Sequence, residues 1–121
     1  MLKILLIDDE TDFRNVLKRE FTGLGYEVLT AADGIHGLQV VLDNAIDLIL
    51  LDMNMPVRDG METLRLIRAV NPKVGIIIIT ALLGDMAQAE AHSLDVIDIL
   101  FKPVSITNLI ELVQRTLGGG N

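Results

Sequence analysis

Short apolar runs of strand length alternate along the chain with segments of helical period. Strands are predicted at residues 3–7, 27–31, 47–51, 75–79 and 97–101, and helices at about 10–24, 33–44, 60–70, 85–94 and from 105 onward. The third and fourth strands are apolar on both faces, which is typical of a parallel sheet covered by helices on each side. The alternation therefore predicts an α/β fold, a doubly wound (βα)5 three-layer sandwich with right-handed crossovers.

Helical spacing of apolar residues marks which face of each helix should be buried. The predicted inward-facing positions are Phe13, Val16, Leu17, Phe21 and Leu24 on the first helix, Leu64 and Ile67 on the third, and Ile106, Leu109, Ile110, Val113 and Leu117 on the fifth. Asp33 and Ser105 each precede a helix and are predicted N-caps. Residues 118–121 have no apolar period, so we expect one domain over 1–117 and a flexible tail or linker start over 118–121.

Composition narrows the class of protein. A chain of 121 residues corresponds to one domain, and its net charge of −7 argues against direct nucleic-acid binding, which relies on a basic surface. The apolar runs are far shorter than the ~20 residues needed to span a bilayer. A signal-peptide pattern and cysteine are both lacking. We therefore expect a cytoplasmic protein with no membrane contact.

Polar residues stand at the ends of four predicted strands. Asp8 and Asp9 follow the first strand, Asp52 follows the third, Thr80 the fourth and Lys102 the fifth. Because the carboxyl ends of parallel strands meet at one edge of a sheet, these side chains are expected to converge there. Such a cluster is suited to a divalent metal and a phosphoryl group.

Carboxylates in this cluster have two chemical uses. Mg²⁺ prefers octahedral oxygen ligands, which Asp9, Asp52 and the backbone carbonyl of a nearby turn residue would supply, while Asp8 would orient a metal-bound water. A carboxylate is also a competent nucleophile toward phosphorus. Lys102 would neutralise phosphoryl oxygens, and Thr80 would donate a hydrogen bond to one. Each residue alone also has a structural explanation, such as a helix cap or a turn. The occurrence of all five polar residues at the ends of neighbouring strands favours a functional site.

Several short motifs carry a family resemblance. They are residues 5–10 (Leu-Leu-Ile-Asp-Asp-Glu), residues 47–52 (Asp-Leu-Ile-Leu-Leu-Asp), Met55-Pro56 with Asp59-Gly60, Thr80-Ala81, and Lys102-Pro103. In this order and spacing the chain resembles the receiver domain of two-component response regulators over almost its whole length. The resemblance implies a flavodoxin-like sheet with strand order 2-1-3-4-5.

The same resemblance assigns a role to the acidic residues. It implies that Asp52 accepts a phosphoryl group from the phosphohistidine of a sensor histidine kinase or phosphotransfer protein. It implies that Asp9, Asp52 and the backbone carbonyl of Asn54 bind Mg²⁺, with Mn²⁺ as an alternative, and that Asp8 holds a coordinated water. The implied protein is a signalling switch without a turnover substrate, whose helix-four, strand-five and helix-five surface controls an output domain or partner protein.

Residues around the phosphoryl position are assigned in the same way. The resemblance implies that Lys102 and Ala81 contact the phosphoryl group, that Thr80 closes onto it as the switch, and that the peptide bond before Pro103 is cis. Leu82 lies beside the path of the attacking water in this fold. Together with Asn54 it is expected to tune dephosphorylation, and its apolar side chain predicts slow hydrolysis.

Three positions depart from the usual family pattern. Ile99 occupies the strand-five position where Tyr or Phe usually acts as a rotating partner of the switch Thr. Residues 94–96 read Leu-Asp-Val instead of Leu-Gly-Ala. Helix four contains no Lys or Arg, which one large subfamily uses for dimerisation. We therefore expect a monomer or a weak phosphorylation-dependent dimer.

Three alternatives to a phosphorylated switch remain open for the sequence. The first is a receiver-like docking module that works without phosphorylation, for which Ile99 is the best support. The second is a phosphatase with an Asp nucleophile, but those enzymes place an Asp-x-Asp pattern after the first strand, where this chain has Asp8-Asp9-Glu10. The third is a flavodoxin, which would need a Gly- or Thr-rich phosphate loop after strand one. The chain is expected to be either a stand-alone receiver or the receiver of a longer regulator.

Overall fold

Five parallel strands and five helices alternate along the chain in a computed structural model that describes residues 1–55 and 60–118. The strands are β1 (Lys3–Ile7), β2 (Glu27–Ala31), β3 (Leu48–Leu51), β4 (Gly75–Thr80) and β5 (Asp98–Phe101). The helices are α1 (Thr11–Gly23), α2 (Gly34–Asp43), α3 (Gly60–Val70), α4 (Asp85–Ser93) and α5 (Ile106–Thr116). The predicted α/β fold is therefore confirmed, and most predicted element ends lie within one residue of the observed ones.

The strands form one sheet in the order β2-β1-β3-β4-β5, which confirms the expected flavodoxin-like topology. Ile7 at the end of β1 is in register with Leu51 at the end of β3, and Leu51 in turn is paired with Ile78. Thr80 is paired with Phe101, so β4 and β5 also end together. This register brings the carboxyl ends of four strands to one edge of the sheet.

Alternate residues along the strands pack into two separate hydrophobic clusters, one on each face of the sheet. The α1 and α5 helices cover one face through buried Leu17, Phe21, Leu109 and Val113. The other face is covered by α2, α3 and α4, whose buried residues include Val41, Leu64, Ile67 and Ala91. These layers produce the predicted three-layer sandwich. Burial on both sides explains why β3 and residues 76–79 of β4 are apolar at every position.

Helix faces and caps follow the sequence pattern with one exception. Asp33 and Ser105 both act as N-caps, since their side chains accept hydrogen bonds from the backbone N–H of His36 and Asn108. Leu24 was predicted to face inward and is 45% exposed. That prediction was wrong because α1 ends at Gly23, and Leu24 lies past the helix, where the helical period no longer sets its direction.

The turn between α4 and β5 differs from the usual pattern at Asp95. This residue has a positive φ of 61°, in the left-handed region that Gly adopts without a steric cost. The Arg68 guanidinium on α3 fastens this turn by donating to the carbonyls of Leu94 and Asp95, at 2.7 and 3.0 Å. It also donates to the carbonyl of Val74 at 2.6 Å.

Within residues 1–55 and 60–118, no helix is long and apolar enough to cross a membrane. Of the predicted tail over 118–121, the structure describes only Gly118. The motif residues Pro56 and Asp59 also lie outside the described residues.

Candidate functional site

Backbone hydrogen bonds continue the sheet past the strand ends and so position the polar residues. The N–H of Asp8 donates to the carbonyl of Ala31 at 3.1 Å, and the N–H of Asp52 donates to that of Ile7 at 2.9 Å. The N–H of Lys102 donates to the last carbonyl of β4 at 2.8 Å. The backbone of each of these residues is thus held in place by a hydrogen bond that extends the sheet.

The Lys102 ammonium lies among three carboxylates. Its Nζ is 2.8 Å from Asp8 Oδ2, 2.5 Å from Glu10 Oε1 and 3.5 Å from Asp52 Oδ2. The side chain of Lys102 is 13% exposed and that of Asp52 is 4% exposed, whereas that of Glu10 is 59% exposed. One ammonium therefore partly neutralises three carboxylates, and its contact with Asp52 is the longest of the three.

Phe13 supports the ammonium from the side of α1. Lys102 Nζ lies 4.5 Å from the centre of the Phe13 ring, within the range of a cation–π contact. Both residues line an open groove of about 580 Å³ that also touches Glu10, Ala81 and Ile106. The groove leaves this edge of the site open to solvent.

Burial and ion pairing act on the titration of this group. Burial raises the pKa of the Asp8 carboxyl above its ordinary value, aided by repulsion from Asp52 and opposed by the hydrogen bond from Lys102. Burial also acts to lower the pKa of Lys102, but its hydrogen bonds to Asp8 and Glu10 outweigh this effect. The pKa of Lys102 is therefore raised well above its usual range, and the ammonium is charged at neutral pH.

The acidic residues after β1 turn to different sides. The carboxylates that lie within 4.8 Å of one another in the described part of the chain belong to Asp8, Glu10 and Asp52, and the exposed Asp9 is not in this group. Side chains alternate along extended backbone, so residues two apart face the same way. Glu10 is in an extended conformation and its N–H donates to Asp8 Oδ1 at 2.8 Å. The structure thus groups Glu10 with Asp8 and Asp52, and the metal-ligand role of Asp9 stays a prediction.

Asn54 connects the β3 end to the β4–α4 loop. Its Oδ1 accepts from Thr80 Oγ1 at 2.5 Å and from the Leu82 N–H at 3.1 Å. Its own N–H donates to Asp52 Oδ1 at 2.9 Å. Thr80 is fully buried, while the Leu82 side chain is 72% exposed. The predicted switch residue is therefore held by Asn54 in this structure.

The other predicted site residues lie near by. Ala81 is exposed directly after β4, the Lys102–Pro103 peptide bond is cis, and Ile99 is half-buried against the core on the α3–α4 side, together with Leu83. At the start of α3, a side-chain carbon on Gly60 would lie 2.4 Å from Met53 Cα. Only a glycine allows α3 to approach the turn after Asp52 this closely.

The donor set fits a hard divalent cation. Asp8, Glu10 and Asp52 offer three carboxylate oxygens within 4.8 Å of one another, and oxygen donors are what Mg²⁺ requires. The ammonium of Lys102 neutralises only part of the charge of these three carboxylates, so net negative charge remains to attract a cation. This group of residues can therefore hold a metal ion.

Comparison with known families agrees with the fold and the acidic cluster. The family described as the response regulator receiver domain matches residues 4–114. The chain belongs to this family. Receiver domains are signalling domains rather than classical enzymes, and they interact with histidine kinases and output domains.

Two curated relatives illustrate how much of a regulator this receiver domain represents. It is 34% identical to sporulation initiation phosphotransferase F of Bacillus subtilis, over 95% of this chain and 93% of that protein. It is 33% identical to the transcriptional regulatory protein ZraR of Escherichia coli, over 96% of this chain but 26% of that protein. The chain therefore spans about a quarter of the length of the ZraR relatives it matches.

Solved receiver structures share the same architecture. A CheY-like receiver domain protein of Methanospirillum hungatei superposes with a TM-score of 0.93 at 25% identity, covering 98% of this chain and 94% of that one. The response regulator TrrA of Thermotoga maritima, solved in complex with Mg²⁺ and a beryllium fluoride, has a TM-score of 0.83 at 31% identity. That match covers 96% of this chain and 99% of TrrA.

Sequence reasoning missed three contacts in this receiver domain. Glu10 was noted only as part of a motif, Phe13 only as a core residue of α1, and Asn54 for its backbone carbonyl and a tuning role rather than for holding Thr80. The signal for Glu10 was its spacing of two from Asp8 in an extended segment. Phe13 is the first apolar residue of α1, the position nearest the sheet edge.

Proposed function

We propose that this receiver domain is a phosphorylation-controlled switch in which Asp52 accepts a phosphoryl group from the phosphohistidine of a sensor histidine kinase or phosphotransfer protein. The observation that carries the proposal is the position of Asp52. Its side chain is 4% exposed, and Lys102 Nζ lies 3.5 Å from its Oδ2. Lys102 makes its shorter contacts with Asp8 and Glu10, so Asp52 is not tied into a close ion pair.

The proposed transfer is an in-line displacement. A carboxylate oxygen of Asp52 attacks phosphorus, a P–O bond forms, and the P–N bond breaks with its electron pair remaining on the imidazole nitrogen. Charge neutralisation and positioning dominate such reactions. In this proposal Lys102 neutralises a phosphoryl oxygen and Thr80 donates a hydrogen bond to another. Ala81 is small enough to leave room for the group.

Mg²⁺ is the proposed cofactor, with Mn²⁺ as an alternative. When bound, the ion supplies charge neutralisation to the phosphoryl oxygens. Asp9, Asp52 and the backbone carbonyl of Asn54 are the proposed ligands, and Asp8 is proposed to hold a coordinated water. Support for a cation here comes from the carboxylate cluster, which contains Asp8 and Asp52 but not Asp9.

The proposed output surface consists of α4, β5 and α5, and it would control an output domain or a partner protein. Phe101 in β5 is 44% exposed, and Ile97 just before β5 is 42% exposed. Ile99 packs inward instead, so we propose that switching relies on the loop 81–84 and the start of α4. Asn54 and Leu82 are proposed to tune dephosphorylation, and a monomer or weak phosphorylation-dependent dimer is proposed as the assembly.

The proposal is tested by labelling with a small acyl phosphate and Mg²⁺, followed by intact-mass measurement. One added phosphoryl group is expected on the wild-type protein and none on Asp52→Asn. The matched control is Asp47→Asn, which removes the carboxylate just before the opposite end of the same strand and should label normally. Chelation of the metal should abolish labelling. Equal labelling of Asp52→Asn and wild type would refute the assignment, and no labelling of any variant would favour a docking module.

A further inference from the structure

The Asn54 side chain holds the switch threonine and the loop after it with a single oxygen atom. Asn54 Oδ1 accepts from Thr80 Oγ1 at 2.5 Å and from the Leu82 N–H at 3.1 Å. We propose that Asn54 is a latch, which stabilises the resting loop by competing with the phosphoryl group for the Thr80 hydroxyl proton. The inference rests on the proposed function, because the competitor is a phosphoryl oxygen on Asp52.

The competition follows from the chemistry of a hydroxyl group. A threonine hydroxyl carries one proton and can donate one full hydrogen bond at a time. In the structure this proton has Asn54 Oδ1 as its near acceptor, while the carbonyl oxygen of Leu82 is 3.4 Å away. Thr80 is fully buried, so water does not offer a third acceptor. Donation to a phosphoryl oxygen therefore requires Thr80 to leave Asn54.

The same oxygen also fixes the loop backbone. The side chain of Leu82 is 72% exposed and contributes little apolar packing. The hydrogen bond from its backbone N–H to Asn54 therefore fixes the position of this residue. The N–H of Asn54 donates to Asp52 Oδ1 at 2.9 Å, which anchors the latch to the turn that carries the phosphoacceptor. A change at Asp52 is thereby linked to both Thr80 and the loop.

The far end of α4 is fastened independently. The Arg68 guanidinium donates to the carbonyls of Leu94 and Asp95, where α4 ends. At the near end, Gly84 is the N-cap and caps α4 without a side-chain hydrogen bond. Release of the latch should therefore move residues 81–84 and the first turn of α4, and leave the C-terminal end of α4 in place.

A latch and a merely structural amide predict opposite results. If Asn54 only stabilises the fold, its loss should weaken folding and weaken or leave unchanged the binding of a phosphate mimic. If it is a latch, its loss should weaken folding but strengthen binding of the mimic, because the resting state loses a hydrogen bond that the switched state does not use. The sign of the change in affinity separates the two.

The test compares the affinity for beryllofluoride with Mg²⁺ in wild type and Asn54→Leu, which has similar size but no acceptor. NMR titration should give an affinity about three- to tenfold tighter in Asn54→Leu, the change for one neutral hydrogen bond. In a Thr80→Val background, where only the bond from the Leu82 N–H remains to be lost, the same substitution should give a smaller gain. Asn54→Ala, which also removes the acceptor, repeats the test if Leu is not accommodated.

A second measurement does not depend on the mimic. Without beryllofluoride, the Leu82 amide should exchange with solvent faster in Asn54→Leu than in wild type, whereas Asn54→Asp, which keeps an acceptor oxygen, should protect it. Unchanged protection in Asn54→Leu, an unchanged or weaker affinity for the mimic, or a gain of full size in Thr80→Val would each overturn the latch. Failure of wild type to bind beryllofluoride, or equal binding by Asp52→Asn, would instead refute the proposed function and with it the latch.

Discussion

Lys102 Nζ lies 2.8 Å from Asp8 Oδ2, although 94 positions separate the two residues along the chain. The contact exists because β1 and β5 end at the same edge of the sheet. The ammonium also neutralises Glu10 and lies 3.5 Å from Asp52. A single lysine therefore holds together a group of carboxylates that would otherwise repel one another.

Replacing this lysine should destabilise the protein in a pH-dependent way. Removing one member of a buried ion pair leaves uncompensated charge. Because the site is partly open, we expect Lys102→Met to lower the free energy of unfolding by about 1–3 kcal/mol at pH 7. Urea unfolding in the presence of a chelator measures this, with Lys73→Met, at an exposed lysine, as the control.

The sign of the pH dependence follows from the two pKa shifts. The raised pKa of Lys102 means that its stabilisation is present below the unfolded value and is lost as pH rises through the folded one. The raised pKa of Asp8 means that burying its ionised form costs stability, and this cost disappears as the carboxyl is protonated in acid. The difference in free energy of unfolding between wild type and Lys102→Met should thus become smaller as the pH falls from 7 to 5. A gap that widens in acid would contradict this account.

Arg68 should stabilise the α4–β5 turn through hydrogen bonds that a lysine cannot reproduce. Its guanidinium reaches the carbonyls of Val74, Leu94 and Asp95. Arg68→Lys keeps the charge but lacks the fork, so we expect a loss of about 1–2 kcal/mol in thermal or urea unfolding. Arg65→Lys, at a half-exposed ion pair with Glu90, is the comparison and should cost less. Because Arg65 also contacts Glu90 through two nitrogens, equal losses would mean that the carbonyl contacts of Arg68 add nothing beyond an exposed bidentate ion pair.

Much of this fold is predictable because its physical causes are local. Strand β4 contains a run of four isoleucines and ends at a polar residue, Thr80. Asp33 and Ser105 cap helices with their own side chains. The convergence of Asp52 and Lys102 also follows from the order of parallel strands. Periodicity, helix capping and strand order are enough to predict these features from the sequence.

What the sequence does not determine depends on side-chain direction in irregular segments. Three acidic residues follow β1, and the spacing of two that puts Glu10 on the side of Asp8 indicates this only if the segment stays extended past the strand end, which the sequence does not determine. The amide of Asn54 reaches Thr80, 26 positions away, through a turn that has no periodic pattern. The positive φ of Asp95, by contrast, belongs to a local helix C-cap, since the N–H groups of Asp95 and Val96 donate to the carbonyls of His92 and Ala91.

Leu82 should slow hydrolysis of the phosphorylated protein. Its side chain is 72% exposed beside Asn54, and it offers bulk but no hydrogen bond to orient an attacking water. We expect phosphorylated Leu82→Asn to lose its phosphoryl group several times faster than wild type, as followed by phosphate release. Leu24→Asn, at an exposed leucine away from the site, is the control. Equal decay rates would show that position 82 does not control water access.

Switching should proceed without an aromatic rotor. Ile99 is branched at Cβ, restricted in χ1, and packed with Leu83 against the core. With beryllofluoride and Mg²⁺ we expect the largest NMR shift changes outside the immediate site in residues 80–95, and an Ile99→Val variant should keep that pattern. Changes limited to the neighbours of Asp52 would mean that the signal does not reach α4.

Trapping the phosphorylated residue itself tests the central claim most directly. An acyl phosphate on an aspartate is reduced by borohydride to a stable alcohol, which peptide mass spectrometry can locate. After labelling with a small acyl phosphate and Mg²⁺, the reduced residue should be Asp52, at a yield that falls to background in Asp52→Asn. Reduction at Asp8 or Asp9 instead, or no reduced residue in a protein that carries the label, would contradict the account.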